Sequence, residues 1–401
     1  MISVVIPTYH RDQLLLWHLL ELNKQTLDPK KFSVTVVYDG TIPPKEFGSL
    51  QDRLTYELQI VCQDQSGPAA ARNFGAKMAR GNIILFTGDD CIPDRNLLWR
   101  HYYEHHRRDG NPSVIQGYTL WHPDIPPTDF MNFLTGDGGL QANWSHLRTE
   151  NGWKEKATGW FLTTNVSTTR SEFEAEGGFN EEFPNAAWED VELGYRMQKR
   201  GVPTYFCPDA INYHYHAITL DSFANRQMVE GRSRLIFAKY HPEVASGLII
   251  PATLRNTTLD NFKQALNTAK QYDNMPNPDV QAVRKQAWAI AMQLASTEGV
   301  RQGIENRGGV WKALYHVHTD EQIRHVVGTA GALERGDPTY AKFEAEWGLR
   351  TAKDNWAFHA VDGEVELVLG NKQSAIQAFI RAKELGTGEA WPLDRLKELV
   401  E

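Results

Sequence analysis

The sequence has few cysteines and no excess of basic residues, and each absence excludes a class of protein. Cys62, Cys91 and Cys207 are far apart and odd in number. They predict neither a disulfide framework nor a CxxC metal motif, and they fit a reducing cytosol. The net charge of −8 argues against nucleic-acid binding, because that function requires a clustered basic surface.

The sequence also lacks a long hydrophobic run. A membrane-spanning helix requires about 18 or more consecutive apolar residues, and the most apolar window, residues 247–251, is far shorter. The N-terminus lacks the basic region and the apolar stretch of a signal peptide. These features predict a cytoplasmic protein with no transmembrane segment, and peripheral contact with the inner membrane surface stays open as an alternative.

The length of 401 residues and the hydrophobic content of 41% predict two soluble globular domains that each bury a core. Strand and helix patterns alternate in the first part of the chain, whereas the last part has helical patterns alone. We therefore expect an α/β domain at residues 1–245 and an all-α domain at residues 246–401. The second domain is expected to serve self-association into a homo-oligomer or the docking of a partner.

Four short runs rich in β-branched residues predict buried strands, at residues 2–6, 32–37, 57–62 and 82–86. Helical patterns begin between them, at Asp12 and Gly67. This alternation predicts a right-handed parallel α/β sheet with a ligand crevice at the carboxyl ends of its strands. Polar residues that follow those ends are candidate ligand contacts: Asp39, Arg72, Asp89 and Asp90.

Five short motifs occur in an order that resembles family 2 glycosyltransferases of the GT-A fold. They read VVIPTYHR, YDGT, GPAAARN, FTGDDCIP and WED, at residues 4–11, 38–41, 67–73, 86–93 and 188–190. The resemblance implies an inverting transfer of a sugar from a nucleoside-diphosphate donor, usually UDP-linked, to a hydroxyl- or thiol-bearing acceptor. Mn²⁺ or Mg²⁺ would be the cofactor, and the acceptor would be a saccharide, a lipid-linked molecule or a peptide.

The resemblance assigns donor-binding roles to the first three motifs. The residues that would border the base of the donor are Pro7, Thr8, Tyr9 and Asp39. Arg11 would assist them. Gly67 opens the helix that carries Arg72, and Arg72 would face the ribose or the diphosphate.

Asp89 and Asp90 would form the ribose and metal centre. A hard divalent cation held by one or two carboxylates bridges a diphosphate to an acidic protein. It also stabilises the diphosphate as negative charge develops on it. The alternative is that the two acids only form a turn after a strand.

Two positions depart from the family pattern. Tyr38 stands where an acid is expected before Asp39, and Gly88 stands where the first of three acids is expected. Asp90 is therefore the preferred metal ligand, with Asp89 nearer the ribose or acting as a second ligand. Both departures leave the identity of the donor open.

Asp190 matches the position of the family's catalytic base. An inverting transfer needs a group that removes the proton of the acceptor, and a carboxylate within hydrogen-bond reach suits this. Trp188 and Glu189 are expected to contact the acceptor or the sugar, as are Thr164 and Asn165. Acids are also common in a first helical turn, where the helix dipole stabilises them, and this structural interpretation stays open.

His214 and His216 would lie on one face if residues 207–216 form a strand. The family often has a histidine here that completes the metal site, and His214 is the preferred ligand. A hydrogen-bonded structural histidine is the alternative.

Three further patterns receive structural interpretations. His101 and His105 form an i, i+4 pair, interpreted as part of a solvated helix face because no acidic third ligand accompanies them. Glu192 and Arg196 predict an ion pair on a helix surface. Residues 121–159 lack periodicity and predict a long irregular segment.

The C-terminal region shows no catalytic constellation. Residues 363–371 and 375–382 resemble one helix–turn–helix unit of a tetratricopeptide-like repeat. One copy is a weak match, because three or more repeats are normally needed for stability.

Two other functions remain as alternatives. A nucleotidyltransferase or pyrophosphorylase on a similar scaffold would be expected to have a glycine-rich, basic phosphate loop after the first strand. Residues 8–11, which read TYHR, contain no glycine. A catalytically degenerate binding or scaffold protein is favoured by Tyr38 and Gly88. The retained Asp39, Asp90 and Asp190 argue against it.

Overall fold

The computed structural model describes residues 1–141, 144–150, 152–157, 161–275, 278–386 and 388–400. The chain divides into two compact units, Met1–Thr219 and Leu220–Glu401. The expected limits of the domains, with a boundary after residue 245, stay a prediction. The division between the two units, after Thr219, comes earlier in the sequence than residue 245.

The described part of the N-terminal unit contains eleven strands: β1 (Ile2–Thr8), β2 (Phe32–Asp39), β3 (Glu57–Gln63), β4 (Ile83–Phe86), β5 (Cys91–Pro93), β6 (Val114–Trp121), β7 (Arg148–Thr149), β8 (Gly152–Trp153), β9 (Lys156–Ala157), β10 (Val166–Thr169) and β11 (Thr204–His214). Its helices are α1 (Asp12–Leu22), α2 (Pro68–Met78), α3 (Leu97–His106), α4 (Asp129–Thr135), α5 (Arg170–Ala175) and α6 (Glu189–Lys199). The expected α/β class is confirmed.

Most of these strands form one mixed sheet with the order β3-β2-β1-β4-β10-β6-β11-β5, and β9 pairs with β11. The four strands expected from the β-branched runs, β1 to β4, are parallel to one another. The prediction of a parallel sheet therefore holds for this part. It was wrong for the whole sheet, because β10 runs antiparallel to both β4 and β6. No local sequence pattern predicts this reversal.

The sheet is buried on both faces around β1 and β2, which explains why their sequences are continuous apolar runs. Every residue of β2 is buried. One apolar cluster joins Leu15 and Leu19 of α1 to β1 and β2. A second cluster on other residues of the sheet contains Phe86, Phe161 and Phe179, so the strand ends are held by packed side chains on both sides.

The described residues of the segment expected to be irregular contain one α-helix, α4, and the short strands β7, β8 and β9. Thr128 begins the helix by accepting a hydrogen bond from the backbone N–H of Met131 at 3.2 Å, the usual role of a threonine N-cap. Phe130, Met131 and Leu134 are buried. Residues 142–143, 151 and 158–159 of the same segment lie outside the described residues.

The described part of the C-terminal unit is helical, as expected: α7 (Leu220–Tyr240), α8 (Ala245–Leu248), α9 (Pro251–Asn256), α10 (Leu259–Asp273), α11 (Gln281–Arg307), α12 (Asp320–Glu334), α13 (Pro338–Thr351), α14 (Trp356–Val368), α15 (Lys372–Leu385) and α16 (Ala390–Val400). Consecutive helices from α12 to α16 pack on one another in chain order. The resemblance to a tetratricopeptide-like repeat stays a prediction.

Glycines allow two long helices of this unit to approach closely. A Cβ atom on Gly299 of α11 would lie 2.1 Å from the carbonyl oxygen of Met228 in α7, and one on Gly231 would lie 2.1 Å from that of Ser296. Such contact packs α7 against α11 within the C-terminal unit. Within the described residues, no helix is both long enough and apolar enough to span a membrane.

Candidate active site

The ends of β1 and β4 are joined by hydrogen bonds among polar side chains. Thr8 Oγ1 donates to Asp89 Oδ2 at 2.9 Å. Arg11 Nη1 donates to Asp89 Oδ1 at 3.1 Å and to Asp90 Oδ2 at 2.6 Å. Both carboxylates are buried, so Arg11 supplies positive charge that compensates them. The structure thus places Arg11 against the acid pair rather than beside Asp39.

Gly88 leaves room for the acid pair. A Cβ atom at this position would lie 2.8 Å from Asp90 Oδ1 and 3.4 Å from the Cys91 sulfur. The first distance is too short for an ordinary contact, whereas the second is an ordinary van der Waals distance. The absence of an acid at position 88 therefore has a steric reason in this structure.

Asp90, His214 and His216 bring three possible metal ligands together, with one ligand atom from each lying within 4.8 Å of the others. His214 ends β11, which pairs antiparallel with β5 so that His214 lies opposite Cys91. His214 Nε2 is 3.3 Å from Asp90 Oδ2. The two imidazole rings are stacked, with centroids 5.4 Å apart. Both histidines, rather than the preferred His214 alone, are therefore near the acid.

The two neighbouring acids have opposite electrostatic environments. Burial would raise the pKa of Asp90, but the hydrogen bond and charge of His214, together with Arg11, hold that pKa well below its usual range. Burial and the charge of Asp90 raise the pKa of Asp89. Asp90 is consequently the stronger candidate for a permanently ionised ligand.

Asp39, at the end of β2, holds the loop that leads into α2. Its Oδ1 accepts hydrogen bonds from Gln63 Nε2 at 2.9 Å and from the Ser66 N–H at 2.8 Å, and its Oδ2 accepts one from the Gly67 N–H at 2.9 Å. Gly67 has a φ of 90°, which favours glycine. Asp39 thus shapes the wall of the crevice through this loop.

Tyr38 points away from that loop. Its hydroxyl donates to Asp12 Oδ1 of α1 at 2.9 Å, and its ring packs edge-on against Phe47. Successive side chains of a strand point to opposite faces of the sheet, so the side chains of Tyr38 and Asp39 lie on different faces.

Arg72 and Glu189 form a buried ion pair between α2 and the start of α6, with Arg72 Nη1 donating to Glu189 Oε1 at 2.7 Å. Burial and nearby Asp190 raise the pKa of Glu189 to about 7, against the opposing charge of Arg72. Arg72 Nε and Glu189 Oε2 are buried and have no hydrogen-bond partner among the described residues. Unsatisfied buried polar atoms are rare, so these two make the ion pair a candidate ligand contact.

Asp190 is half-buried beside Thr163. Asp190 Oδ2 accepts hydrogen bonds from both the backbone N–H and the hydroxyl of Thr163 at 3.3 Å. Asp190 Oδ1 accepts one from the Val191 N–H at 2.8 Å, as expected for an acid at a helix N-terminus. The carboxylate is therefore oriented while remaining partly open to solvent.

Thr164 connects this carboxylate to the acid pair. Its carbonyl oxygen accepts from Asn212 Nδ2 at 2.8 Å and from Thr87 Oγ1 at 3.3 Å, and Thr87 lies two residues before Asp89. The bonds of Thr163 and Thr164 thus tie Asp190 to the end of β4. Asn212 is a connecting residue that sequence reasoning missed, although its i, i+2 spacing from His214 on a strand would have pointed to it.

Asn165 lies in the interior instead of facing an acceptor. Its side chain is fully buried, with Oδ1 bonded to His101 Nε2 at 2.9 Å and Nδ2 donating to the carbonyls of Tyr118 at 3.2 Å and Ala210 at 2.8 Å. These bonds use its amide fully. We therefore assign Asn165 to the interior network, and the expected acceptor contact is not what this structure shows.

His101 and His105 belong to the same network, and their interpretation as a solvated helix face was wrong. Both are buried, and both bond to the Ser167 hydroxyl, at 2.7 and 2.8 Å. Burial lowers the pKa of His101 to about 4 and that of His105 to about 3. The sequence could not reveal this, because their partners come from β10, some sixty residues away in the chain.

The ion pair of Glu192 and Arg196 is confirmed, with Arg196 Nε donating to Glu192 Oε1 at 2.8 Å. Its expected surface location was wrong, since Glu192 is buried. Arg196 also donates to the carbonyl oxygens of Glu176 and Gly178. The pair therefore fixes the turn that leads towards Trp188.

Tyr9 and Trp188 are the two aromatic residues expected at the site, and each has a notable feature. Tyr9 is exposed and packs edge-on against His10 with ring centroids 4.2 Å apart; Pro7 precedes it as a half-buried residue of β1. Trp188 adopts a left-handed conformation with a φ of 74°. That conformation is costly for a bulky residue and clusters at functional sites.

Together these residues define an α/β domain with a continuous polar site along the carboxyl ends of its strands. Residues 3–138 match the model of the family described as glycosyl transferase family 2. Over these residues the match confirms the resemblance to this family that the motifs predicted.

Curated relatives are similar over the same half of the chain. A validoxylamine A glucosyltransferase from Streptomyces hygroscopicus subsp. limoneus is 29% identical over 229 residues, covering 51% of this chain and 49% of that protein. A hyaluronan synthase from Pasteurella multocida is 27% identical over 226 residues, covering 50% of this chain and 23% of that protein. The chain thus spans about half of the first relative's length and about a quarter of the second's.

A solved structure, the mannosyltransferase PcManGT from Pyrobaculum calidifontis in complex with GDP-Man and Mn²⁺, covers 88% of this chain and 86% of its own. It is 18% identical with a TM-score of 0.43. A TM-score this low adds nothing to the assignment of the fold, which rests on the strand order and the family match.

Proposed function

We propose that this chain is an inverting glycosyltransferase that uses a nucleoside-diphosphate sugar, UDP-linked by the family resemblance, and a divalent cation. The observation that carries the proposal is the meeting of Asp90, His214 and His216 at the end of β4, beside the Arg11–Asp89 contact, in a family 2 domain. A diphosphate concentrates negative charge, so an acidic site needs cations to receive it.

The residues present fit a divalent cation. A carboxylate and two imidazoles are a donor set that suits Mn²⁺ better than Mg²⁺, because Mg²⁺ strongly prefers oxygen ligands. Asp90, His214 and His216 would hold the cation, with Asp89 as a second carboxylate nearby. When bound, it would neutralise charge that develops on the leaving diphosphate.

The walls of the crevice supply the other donor contacts. Asp39 positions the 63–67 loop, whose backbone would border the base together with the exposed Tyr9. Arg72 would face the diphosphate side with its unpartnered Nε. Glu189 Oε2, also unpartnered among the described residues, would accept a hydrogen bond from a sugar hydroxyl.

Asp190 is the proposed base. An acceptor hydroxyl oxygen forms a bond to the anomeric carbon from the face opposite the diphosphate, the bond from that carbon to the diphosphate oxygen breaks, and the acceptor proton moves to the Asp190 carboxylate. The hydroxyl and N–H of Thr163 keep the accepting oxygen oriented. One displacement of this kind inverts the anomeric configuration.

A saccharide is the acceptor that the surroundings favour. A cavity of about 200 Å³ adjoins His214 and is lined by Trp121, Trp144, Trp153 and Arg148, among others. Aromatic rings with one polar edge pack well on the apolar faces of sugars. The names of the relatives, a validoxylamine A glucosyltransferase and a hyaluronan synthase, agree with an acceptor of this class.

Incubation of the full chain with a panel of UDP- and GDP-sugars and mixed oligosaccharides, with Mn²⁺ or with EDTA, tests the proposal. We expect a nucleoside diphosphate as the product, in a reaction that EDTA stops and Mn²⁺ restores. Release of pyrophosphate would instead identify a nucleotidyltransferase. No turnover of any donor, together with unchanged thermal stability in its presence, would favour the degenerate binding protein.

A further inference from the structure

The C-terminal unit contains a basic cleft of about 660 Å³. We use the name basic cleft for the surface formed by Arg255, His316, His318, Arg350 and Lys353, together with the neighbouring apolar and amide side chains. Asp354 is the one acidic residue among those that line it. Residues 220–401 carry 22 Lys and Arg against 23 Asp and Glu, so the cleft is a local excess of positive charge in a nearly neutral unit.

The three permanent cations of the cleft lack carboxylate partners. Arg255, Arg350 and Lys353 form no ion pair with any residue in the described part of the chain. By contrast, Lys342 on the same helix as Arg350 lies 2.6 Å from carboxylate oxygens of both Asp362 and Glu366. Cations left unpaired beside one another repel, and an anionic ligand would remove this cost.

Backbone groups orient the cleft for an anion. Arg255 Nη1 donates to the carbonyl oxygen of Tyr315 at 3.0 Å, which holds its guanidinium in place. Helix α14 begins in the cleft at Trp356, and the positive end of its dipole favours negative charge there. The side chain of Asn355 caps the helix by accepting from the Ala357 N–H at 3.0 Å. Burial lowers the pKa of His316, and the negative charge of the nearby Glu389 opposes that effect.

An aromatic stripe continues from the cleft along α13. Tyr340, Phe343 and Trp347 are 39%, 53% and 41% exposed, and consecutive rings have centroids 6.1 and 6.2 Å apart. The Arg350 guanidinium lies 5.2 Å from the Trp347 ring centroid and joins the stripe to the cleft. Tyr340 and Arg350 are ten residues apart on α13, which corresponds to roughly 15 Å along the helix. This distance is longer than a single sugar ring.

We propose that the basic cleft and the aromatic stripe together bind an anionic saccharide chain. The flat exposed rings would stack on the apolar faces of successive sugars, while Arg255, Arg350 and Lys353 would bind phosphate or carboxylate groups of the same chain. This surface would bind the acceptor of the transfer reaction, and that role rests on the proposed function.

Charge complementarity selects this occupant over a second copy of the chain. In an isologous dimer whose twofold axis passes through the cleft, two basic clefts would face each other and repel. An acidic peptide satisfies the cations but offers no reason for a row of three exposed aromatic rings. Contiguous exposed apolar surface beside polar residues is typical of a binding site.

Equilibrium binding to the full chain in EDTA, without donor, tests the inference. The probes are polygalacturonate for carboxylate, a phosphomannan for phosphate, neutral dextran, and poly-glutamate. We expect both acidic polysaccharides to bind at least tenfold more tightly than dextran or poly-glutamate. The tighter of the two identifies the anionic group.

Two variants separate charge from stacking. The double substitution Arg350→Glu, Lys353→Glu is expected to weaken both acidic polysaccharides at least tenfold. The pair Phe343→Ala, Trp347→Ala is expected to weaken the polysaccharides similarly while leaving poly-glutamate unchanged. Lys372→Glu, an exposed charge reversal on α15 outside the cleft, is the matched control and should change nothing, and thermal melts check that all variants fold.

Three outcomes would overturn the inference: binding of poly-glutamate as tight as that of the polysaccharides, no weakening by either double variant, or self-association that the aromatic variant abolishes without any effect on polysaccharide binding. Donor hydrolysis with Mn²⁺ is measured in parallel. Lost polysaccharide binding with intact hydrolysis contradicts this inference alone, whereas absent hydrolysis contradicts the proposed function.

Discussion

Gly88 is the residue whose small size leaves space for the charged carboxylate of Asp90. Replacing it with alanine puts a methyl carbon 2.8 Å from Asp90 Oδ1. The atom it meets is the end of a side chain, so the carboxylate should turn while the backbone stays in place. We expect Gly88→Ala to raise the Mn²⁺ concentration needed for half-maximal activity about tenfold, with the melting temperature nearly unchanged.

Gly48→Ala is the matched control for that experiment, because nothing lies within 4 Å of a Cβ atom at position 48. It should behave as the unmodified protein in both measurements. If Gly88→Ala keeps the original Mn²⁺ dependence, the placement of Asp90 in the metal site loses its support.

Asp190 offers a second test at the scale of one side chain. Asp190→Asn keeps the shape of the residue but removes its ability to take a proton. General-base groups contribute about 10²–10⁴-fold to rate, so we expect the transfer rate to fall by that factor while donor affinity stays constant. Steady-state kinetics with donor titration measure both, and exposed Glu174→Gln serves as the control. Full activity in Asp190→Asn would remove the residue from the mechanism.

Asn165 should matter for stability rather than for acceptor affinity. Asn165→Ala leaves His101 Nε2 and the carbonyl oxygens of Tyr118 and Ala210 without their partner. Each unsatisfied buried group costs about 1–3 kcal/mol, so the free energy of unfolding should drop by at least that amount. Denaturant titration measures it. A stable variant with only a raised acceptor KM would restore the role expected from the family resemblance.

At the scale of elements, β11 decides how the site is assembled. Its parallel pairing with β6 carries Asn212 to Thr164, and its antiparallel pairing with β5 carries His214 to Asp90. The sequence predicted a strand ending in histidines. It did not predict these two pairings, because strand partners depend on residues more than ninety positions away.

The contact of α7 with α11 gives a prediction at the same scale. Gly299→Ala introduces a carbon 2.1 Å from a backbone oxygen of α7, and backbone atoms in packed helices cannot move independently. Overpacking of this kind costs about 1–3 kcal/mol or more, so the C-terminal unit should unfold at lower denaturant concentration. Gly247→Ala, which has open space around it, is the control. Equal stability of the two variants would show that the helices are not in this contact.

At the scale of the whole molecule, buried histidines link stability to pH. The pKa values of His101 and His105 are lowered to about 4 and about 3 in the folded state, whereas an unfolded histidine titrates near about 6.5. The unfolded chain therefore binds more protons below about pH 6.5, and stability falls as the pH drops.

We expect the free energy of unfolding to be constant near pH 7.5 and to decrease between about pH 6.5 and 4, by about 1.4 kcal/mol per pH unit for each proton taken up. Denaturant titrations at several pH values measure the slope. His105→Gln should reduce it, and His106→Gln, at an exposed position of the same helix, should not. An unchanged slope in His105→Gln would mean that other groups govern the acid sensitivity.

The sequence by itself determined the elements and the residue types of this protein. Alternating β-branched runs and helices predicted β1 to β4, and the motifs predicted Asp39, Asp89, Asp90 and Asp190 as strand-end or helix-start acids. Such patterns depend on neighbouring residues in the chain, so they can be recognised without the fold. The resemblance to glycosyl transferase family 2 followed from the same local motifs.

Only the tertiary structure decided which side chains meet. It joined His216 as well as His214 to Asp90, placed Arg11 on the acid pair, tied Asp190 to Thr163, and buried Asn165 with His101 and His105. It also brought Arg255, Arg350 and Lys353 to one cleft, where none of them forms an ion pair with another described residue. These outcomes depend on strand register and on helix packing between distant segments, and a one-residue change of register would turn each side chain to the other face.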